Sequence, residues 1–343
     1  GIIIKSEYDK YMARINATFK KGRIDGAKKT YNDKGELIVE EHYKNGLPEG
    51  AFTQYHEGKV IRLTTYKDGK LDGKSARYTD KGVPDYETFY KDGKKEGEWK
   101  YYDDEGKVEC IETYKNDEKN GKWWRKMVSN HGNYTTTKYY TNGKPSGKWV
   151  DQWENGLLRE ERDYKDEKTY TQRNYHLNGN PKSEVSYKDD KLHGARKNFN
   201  GAGVLQDEQV FDADKLIARK IYHSNGRLKE ETNYKNDEKN GKYTLYNENG
   251  TLNEEGEYKN DFKEGVWREY QENNVLYRER TYVGGILNGA MKIYYPSKKV
   301  KEEGMMKDNY KQGVWKHYDR TGRLAYEEDY QQGTVVKRKD FEE

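Results

Sequence analysis

The chain is poor in several things that would hold or place an ordinary fold. It has one cysteine, Cys110, in 343 residues, so no internal disulfide can staple it. No run of 18 apolar residues occurs, which excludes a transmembrane helix. Only five prolines are present and no Pro/Ser-rich stretch marks a linker, so the sequence reads as one continuous domain. No apolar pattern of period 3.6 survives the glycine spacing, so helix is not expected. No signal peptide is visible. Apolar residues make up 31% of the chain and charged residues 37%, a balance that alone suggests disorder.

Against disorder stand 33 tyrosines and 7 tryptophans. Rings bury large areas and favour pleated surfaces. They also recur. The aromatic anchors are Phe19, Tyr43, Tyr66, Tyr90, Tyr114, Tyr140, Tyr164, Tyr187, Phe211, Tyr234, Tyr258, Tyr282 and Tyr330, with Met306 in the same series. Nine of the thirteen intervals are 24 residues, three are 23 and one is 26, so this is a repeat protein.

Glycines punctuate each repeat. One follows the anchor, as at Gly46 and Gly93; a second opens the next strand, as at Gly73 and Gly97; a third closes the hairpin, as at Gly106. Asp-Gly and Asn-Gly between alternating runs are strong hairpin signals. A glycine inside a strand pattern points to a bulge or close backbone approach. Each repeat thus holds two strands, and alternation puts Leu37, Val39, Glu41 and Tyr43 on one face. Trp99 and Tyr102, three apart, fall on opposite faces. The expected fold is all-β: an elongated, twisted, single-layer antiparallel sheet of about 13 stacked hairpins. Residues 1–18, with Ile2, Ile3 and Ile4 and the run from Tyr8, read as an N-terminal cap. Residues 19–329 form the repeats and 330–343 a C-terminal cap.

The pattern Y-x-x-G-x-x-x-G-x-W-x-x-Y-x-x-x-G, spelled out at Tyr90–Gly106, resembles MORN repeats. It is closer still to the MORN-variant repeats of bacterial proteins labelled YwqK-family antitoxins, from about Phe19 to Gly333. It departs from the standard unit, which has a Trp soon after the first Gly; here Lys70, Lys94 and Lys144 stand there. The resemblance implies a scaffold, and its antitoxin label implies neutralisation of a partner. Bacterial cytoplasm and a secreted or cell-surface site, after loss of a leader, both fit.

Catalytic signals are poor, and no cofactor or metal is expected. The seven histidines are scattered, without H-E-x-x-H or paired ligand spacing. Cys110 alternates with Val108 and reads as a buried, inert thiol. The glycine turns lack the helix that a phosphate cradle needs. The pairs Glu40-Glu41, Glu230-Glu231 and Glu327-Glu328 point to opposite faces and read as solvated. The repeat from Tyr114 to Tyr140 stands apart. Eight Lys/Arg and three acids lie between Cys110 and Val150, a surplus of +5 against +4 for the whole chain. The candidate binding residues are Trp123, Trp124, Arg125, Lys126, Lys138, Tyr139, Trp149 and Trp153. Trp123 and Trp149 share the slot of Trp99, Trp267 and Trp315 and read as core rings; Trp124 and Trp153 fall off it and are the better candidates for exposure. Exposed Trp with Lys and Arg suits a protein partner first. A secreted or surface protein recognising glycan or anionic lipid is the alternative. Elsewhere the signs are interspersed, which disfavours nucleic acid.

Overall fold

The computed structural model describes residues 2–4 and 13–341, and side chains from residue 14 to residue 341. The described residues contain strands and turns and no helix. Packing divides the chain into two units, residues 1–167 and 168–343. In each, consecutive strands pair antiparallel in chain order, without closing into a barrel among the described residues. At the N-terminal edge Ile2–Ile4 pairs with Ala13–Lys20. Residues 5–12, including Tyr8, lie outside the described residues. The last strand, Thr334–Asp340, is exposed throughout and carries Lys337, Arg338 and Lys339. Charge on such an edge opposes pairing with another chain.

Two kinds of turn alternate. The first, after every anchor but Tyr164, is a two-residue turn with both residues at positive φ, as at Asp92 (50°) and Gly93 (83°). This is the mirror-image turn whose twist matches the strands. Its second N–H donates to the repeat before it: Gly46 to the Ile24 carbonyl at 2.8 Å, Gly93 to that of Leu71 at 2.7 Å. Where Gly is replaced, Asp or, at 309, Asn takes the left-handed conformation, and several of these side chains add a bond. Asp117 Oδ1 accepts the Lys95 N–H at 2.8 Å and Asp261 Oδ1 that of Lys239 at 2.8 Å. The second kind carries an i→i+3 bond, from Gly106 N–H to the Asp103 carbonyl at 2.9 Å. The strand glycine does mark a bulge. Register shifts between Thr64 and Tyr66, opposite the stretch holding Gly73, where a Cβ would meet Thr65 Oγ1 at 2.6 Å.

One face carries a ladder of rings. In the first unit Tyr90, Trp99, Tyr114, Trp123, Tyr140, Trp149 and Tyr164 follow one another with centroids 4.7–5.5 Å apart. Phe52 bridges Tyr43 and Tyr66 in the same way. In the second unit Trp267 sits between Tyr258 and Tyr282, and Trp315 packs on Tyr330. Every slot Trp donates its indole N–H to the carbonyl of the residue before an anchor, as Trp99 does to Phe89 at 2.9 Å and Trp267 to Glu257 at 3.1 Å. The polar end of a buried ring is thus satisfied by backbone. A lysine five residues after the anchor often caps the pair: Lys263 lies 3.7 Å from the Trp267 centroid, Lys95 4.2 Å from that of Trp99. Each tilted ring pair adds about 0.5–1.5 kcal/mol beyond burial.

Trp267 and Trp315 are fully buried, whereas Trp99 is 7% exposed. The difference lies in the preceding strand, two residues before the anchor. Gly256 and Gly304 leave room there, and a Cβ on either would lie 2.3 Å from the indole. Gly256→Ala therefore overpacks this contact and should cost about 1–3 kcal/mol. Chemical denaturation of the full chain checks it; an unchanged midpoint would contradict the packing.

Candidate functional site

The opposite face is built on charge. Following register across the second unit, one row reads Arg173, Glu184, Lys197, Glu208, Lys220, Glu231, Thr244, Glu255, Arg268, Glu279, Lys292, Glu303, Lys316, Glu327, Lys339. Cation and acid alternate, with Thr244 the one neutral position. Opposite charges directly across a strand pair attract, and like charges would repel. The acids do double duty. Glu279 accepts the Tyr294 hydroxyl at 2.6 Å and Arg268 Nε at 2.9 Å; Glu303 accepts Tyr318 at 2.7 Å and pairs with Lys292 at 3.1 Å. The neighbouring bonds draw the Glu303 carboxyl below its ordinary range.

This corrects the expectation of solvated acid pairs. Glu40 and Glu41 do point to opposite faces, but each is half-buried and paired, with Lys29 at 3.1 Å and Lys28 at 2.7 Å. Register sets a cation directly opposite each.

In the first unit the same row runs Lys29, Glu40, Thr53, Leu63, Ala76, Glu87, Lys100, Ile111, Trp124, Thr137, Val150, Glu161. Charge gives way twice. The first gap is filled by small or modest side chains, with Ala76 fully buried. The second, Ile111–Trp124–Thr137–Val150, places an indole where most other repeats have Lys or Arg.

The eight sequence-derived residues divide between the faces. Trp123 and Trp149 are ladder rings, and Lys138 lies 5.0 Å over Trp149. Arg125 is on that face too, its Nε donating to Cys110 Sγ at 3.4 Å. Cys110 is buried, and burial pushes its thiol up. Trp153 packs against Tyr134 with Arg159 over both rings. Trp124, Lys126 and Tyr139 occupy the charge face. Trp124 and Trp153 are half-buried rather than fully exposed, while Tyr139 is 40% exposed. Lys122 and Lys148 share the face of Trp124, and Lys148 pairs with Glu161 at 2.5 Å. Ile111 and Val150 were missed by sequence reasoning. Their signal is the loss of charge at repeat positions that elsewhere carry it.

Eight stretches match the MORN repeat variant profile: residues 24–45, 95–116, 171–189, 217–236, 239–260, 263–283, 287–308 and 311–332. The chain carries MORN repeat variants. All of these stretches but 171–189 begin two or three residues beyond a two-residue turn, so the MORN unit coincides with the hairpin. No curated protein matches the chain. Among solved structures, the Tc holotoxin pore of Photorhabdus luminescens is similar at 11% identity and a TM-score of 0.18. A TcdB2–TccC3 structure without its hypervariable C-terminal region is similar at 11% identity and a TM-score of 0.14. Each match covers 94% of this chain and 22% of the other, so the chain spans about a fifth of their length. TM-scores this low give the likeness no structural weight.

The MORN charge face has a pH signature. Tyr222, Tyr270 and Tyr318 are each pushed from 10.0 to about 12, first by burial and then by the bond to Glu208, Glu255 and Glu303. The folded chain holds these protons more tightly than the unfolded one. Their contribution to stability is complete below pH 10 and is lost as pH rises from 10 to 12. Melting temperature should fall through that window, and less steeply in Tyr270→Phe. An identical slope in the variant would contradict the assignment.

Proposed function

We propose that this MORN-variant scaffold is a non-catalytic protein-binding module and that its partner docks on the charge face at Trp124. The supporting observation is the break in the charge row at Ile111–Trp124–Thr137–Val150. Ion pairing explains most of the row; of its two breaks in the first unit, this one sets a half-buried indole beside an exposed tyrosine, whereas Thr53–Leu63–Ala76 carries no ring. Lys122, Lys126 and Lys148 surround the break, and the region carries the local charge surplus. Aromatic anchors ringed by polar groups are where binding energy concentrates at interfaces, and a basic rim steers an acidic partner. The chemistry favoured is therefore a protein surface with an apolar knob and an acidic border. In the narrower, antitoxin-like form of the proposal, that surface belongs to a toxin.

A photo-crosslinking amino acid at Tyr139 tests this in the cell of origin. A discrete adduct is expected, lost when Trp124→Asp is added and retained when Lys298→Gly is added at a distant turn. Trp124→Asp should weaken partner binding by more than about tenfold, the scale of a hot-spot loss. Crosslinking indifferent to Trp124→Asp would remove this surface from the account.

A further inference from the structure

The ring ladder has a gap, and the gap is a cleft. The ring slot, opposite the residue two before each anchor, holds an aromatic in seven of the described repeats. Where it does not, a long side chain occupies it (Lys28, Gln172, Arg196, Arg219 or Met291). Ser75 alone is small. Among the described residues no ring contact joins Tyr66 to Tyr90 across it, although Phe52 reaches Tyr66 at 4.7 Å and Trp99 reaches Tyr90 at 5.1 Å. A cleft of about 480 Å³ opens there, walled by Phe52, Tyr66, Tyr90 and Trp99. That volume lies in the range of small-molecule sites, roughly 300–1,000 Å³.

Its floor is polar and ordered. Thr64 Oγ1 lies 3.5 Å from Ser75 Oγ, and Thr88 Oγ1 donates to the Ser75 carbonyl at 3.1 Å. Ser75 and Thr88 are both buried. The lysine that caps ring pairs in other repeats is Leu71 here, which lines the cleft and keeps it apolar on that side. The protein thus offers two tyrosine rings on either side of a place where other repeats put an indole.

We propose that the Ser75 cleft binds an indole ring, seated between Tyr66 and Tyr90 as Trp99 is seated between Tyr90 and Tyr114. Tilted ring contacts with both tyrosines supply the attraction. The slot tryptophans give their N–H to the carbonyl preceding an anchor, and the corresponding carbonyl here is that of Thr65. A benzene ring would have no donor for that acceptor. The indole can come free in solution or as a tryptophan side chain of another protein. The cleft is on the ring face, so it is independent of the Trp124 surface and fails or holds separately from it.

Titration calorimetry of the full chain with indole and with N-acetyl-L-tryptophanamide tests this. Saturable binding is expected, with a dissociation constant on the order of 0.1–1 mM for so small a ligand. Ser75→Trp completes the ladder, so it should raise the melting temperature and weaken binding at least about tenfold, since the cleft is then filled. Ser75→Lys occupies the slot as Lys28 does and should weaken binding likewise, which keeps the test valid if the larger ring is not accommodated. Binding of indole alone assigns the site to a free ligand; binding of the amide, with or without indole, assigns it to a tryptophan side chain. No saturable binding of either probe, or binding that survives both substitutions, overturns the proposal.

Discussion

A tyrosine ring set at a tilt against an indole, with the indole N–H given to a backbone carbonyl, is the contact on which this molecule depends. A sheet with little apolar content has few other ways to repay the ordering of its backbone. The contact works because three things coincide in each repeat. The two-residue turn fixes register, the anchor tyrosines come on every second long strand, and the slot residue falls on the strand between them. Slip the register by one residue and every ring crosses to the other face. The left-handed turn residues and the cross-repeat turn bonds guard against that slip.

The two faces divide the labour. The ring face joins neighbours by burial and the lysine caps, for which Lys263 and Lys311 are well placed. The charge face joins them by alternating ion pairs with tyrosine hydroxyls on the acids. Exposed ion pairs stabilise little one at a time, but a row in which no acid lies directly opposite another acid avoids the like-charge contacts that would open a bare sheet. Specialisation is then a matter of substitution at fixed positions. Trp124 replaces a cation on one face and Ser75 replaces a ring on the other. Both leave the hairpin intact, which is how a repeat scaffold can acquire sites without altering its frame.

Much of this was legible in the residues. Glycine spacing and Asp-Gly pairs located the hairpins, and the 24-residue series located the anchors. The slot shared by Trp99, Trp123, Trp149, Trp267 and Trp315 identified the core rings before any contact was visible. The charge row was not read, although Glu87, Glu208, Glu255, Glu279 and Glu303 each stand three residues before an anchor. Interspersed signs look like a solvated surface until register sets them opposite one another. The division of the candidate site had the same cause: Trp123 and Trp124 are adjacent in sequence and therefore on opposite faces. The cleft at Ser75 was hidden for a different reason. A small residue in a strand carries no signal unless its equivalents in other repeats are known to be rings.

Amide hydrogen exchange on Trp267→Ala, compared with the parent chain, tests the ladder most directly. If the rings join each repeat to its neighbours, protection should fall in the strands carrying Tyr258 and Tyr282 and in the repeats next to them, and persist in residues 14–167. Protection unchanged around Trp267, or lost evenly over the whole chain, would contradict the account.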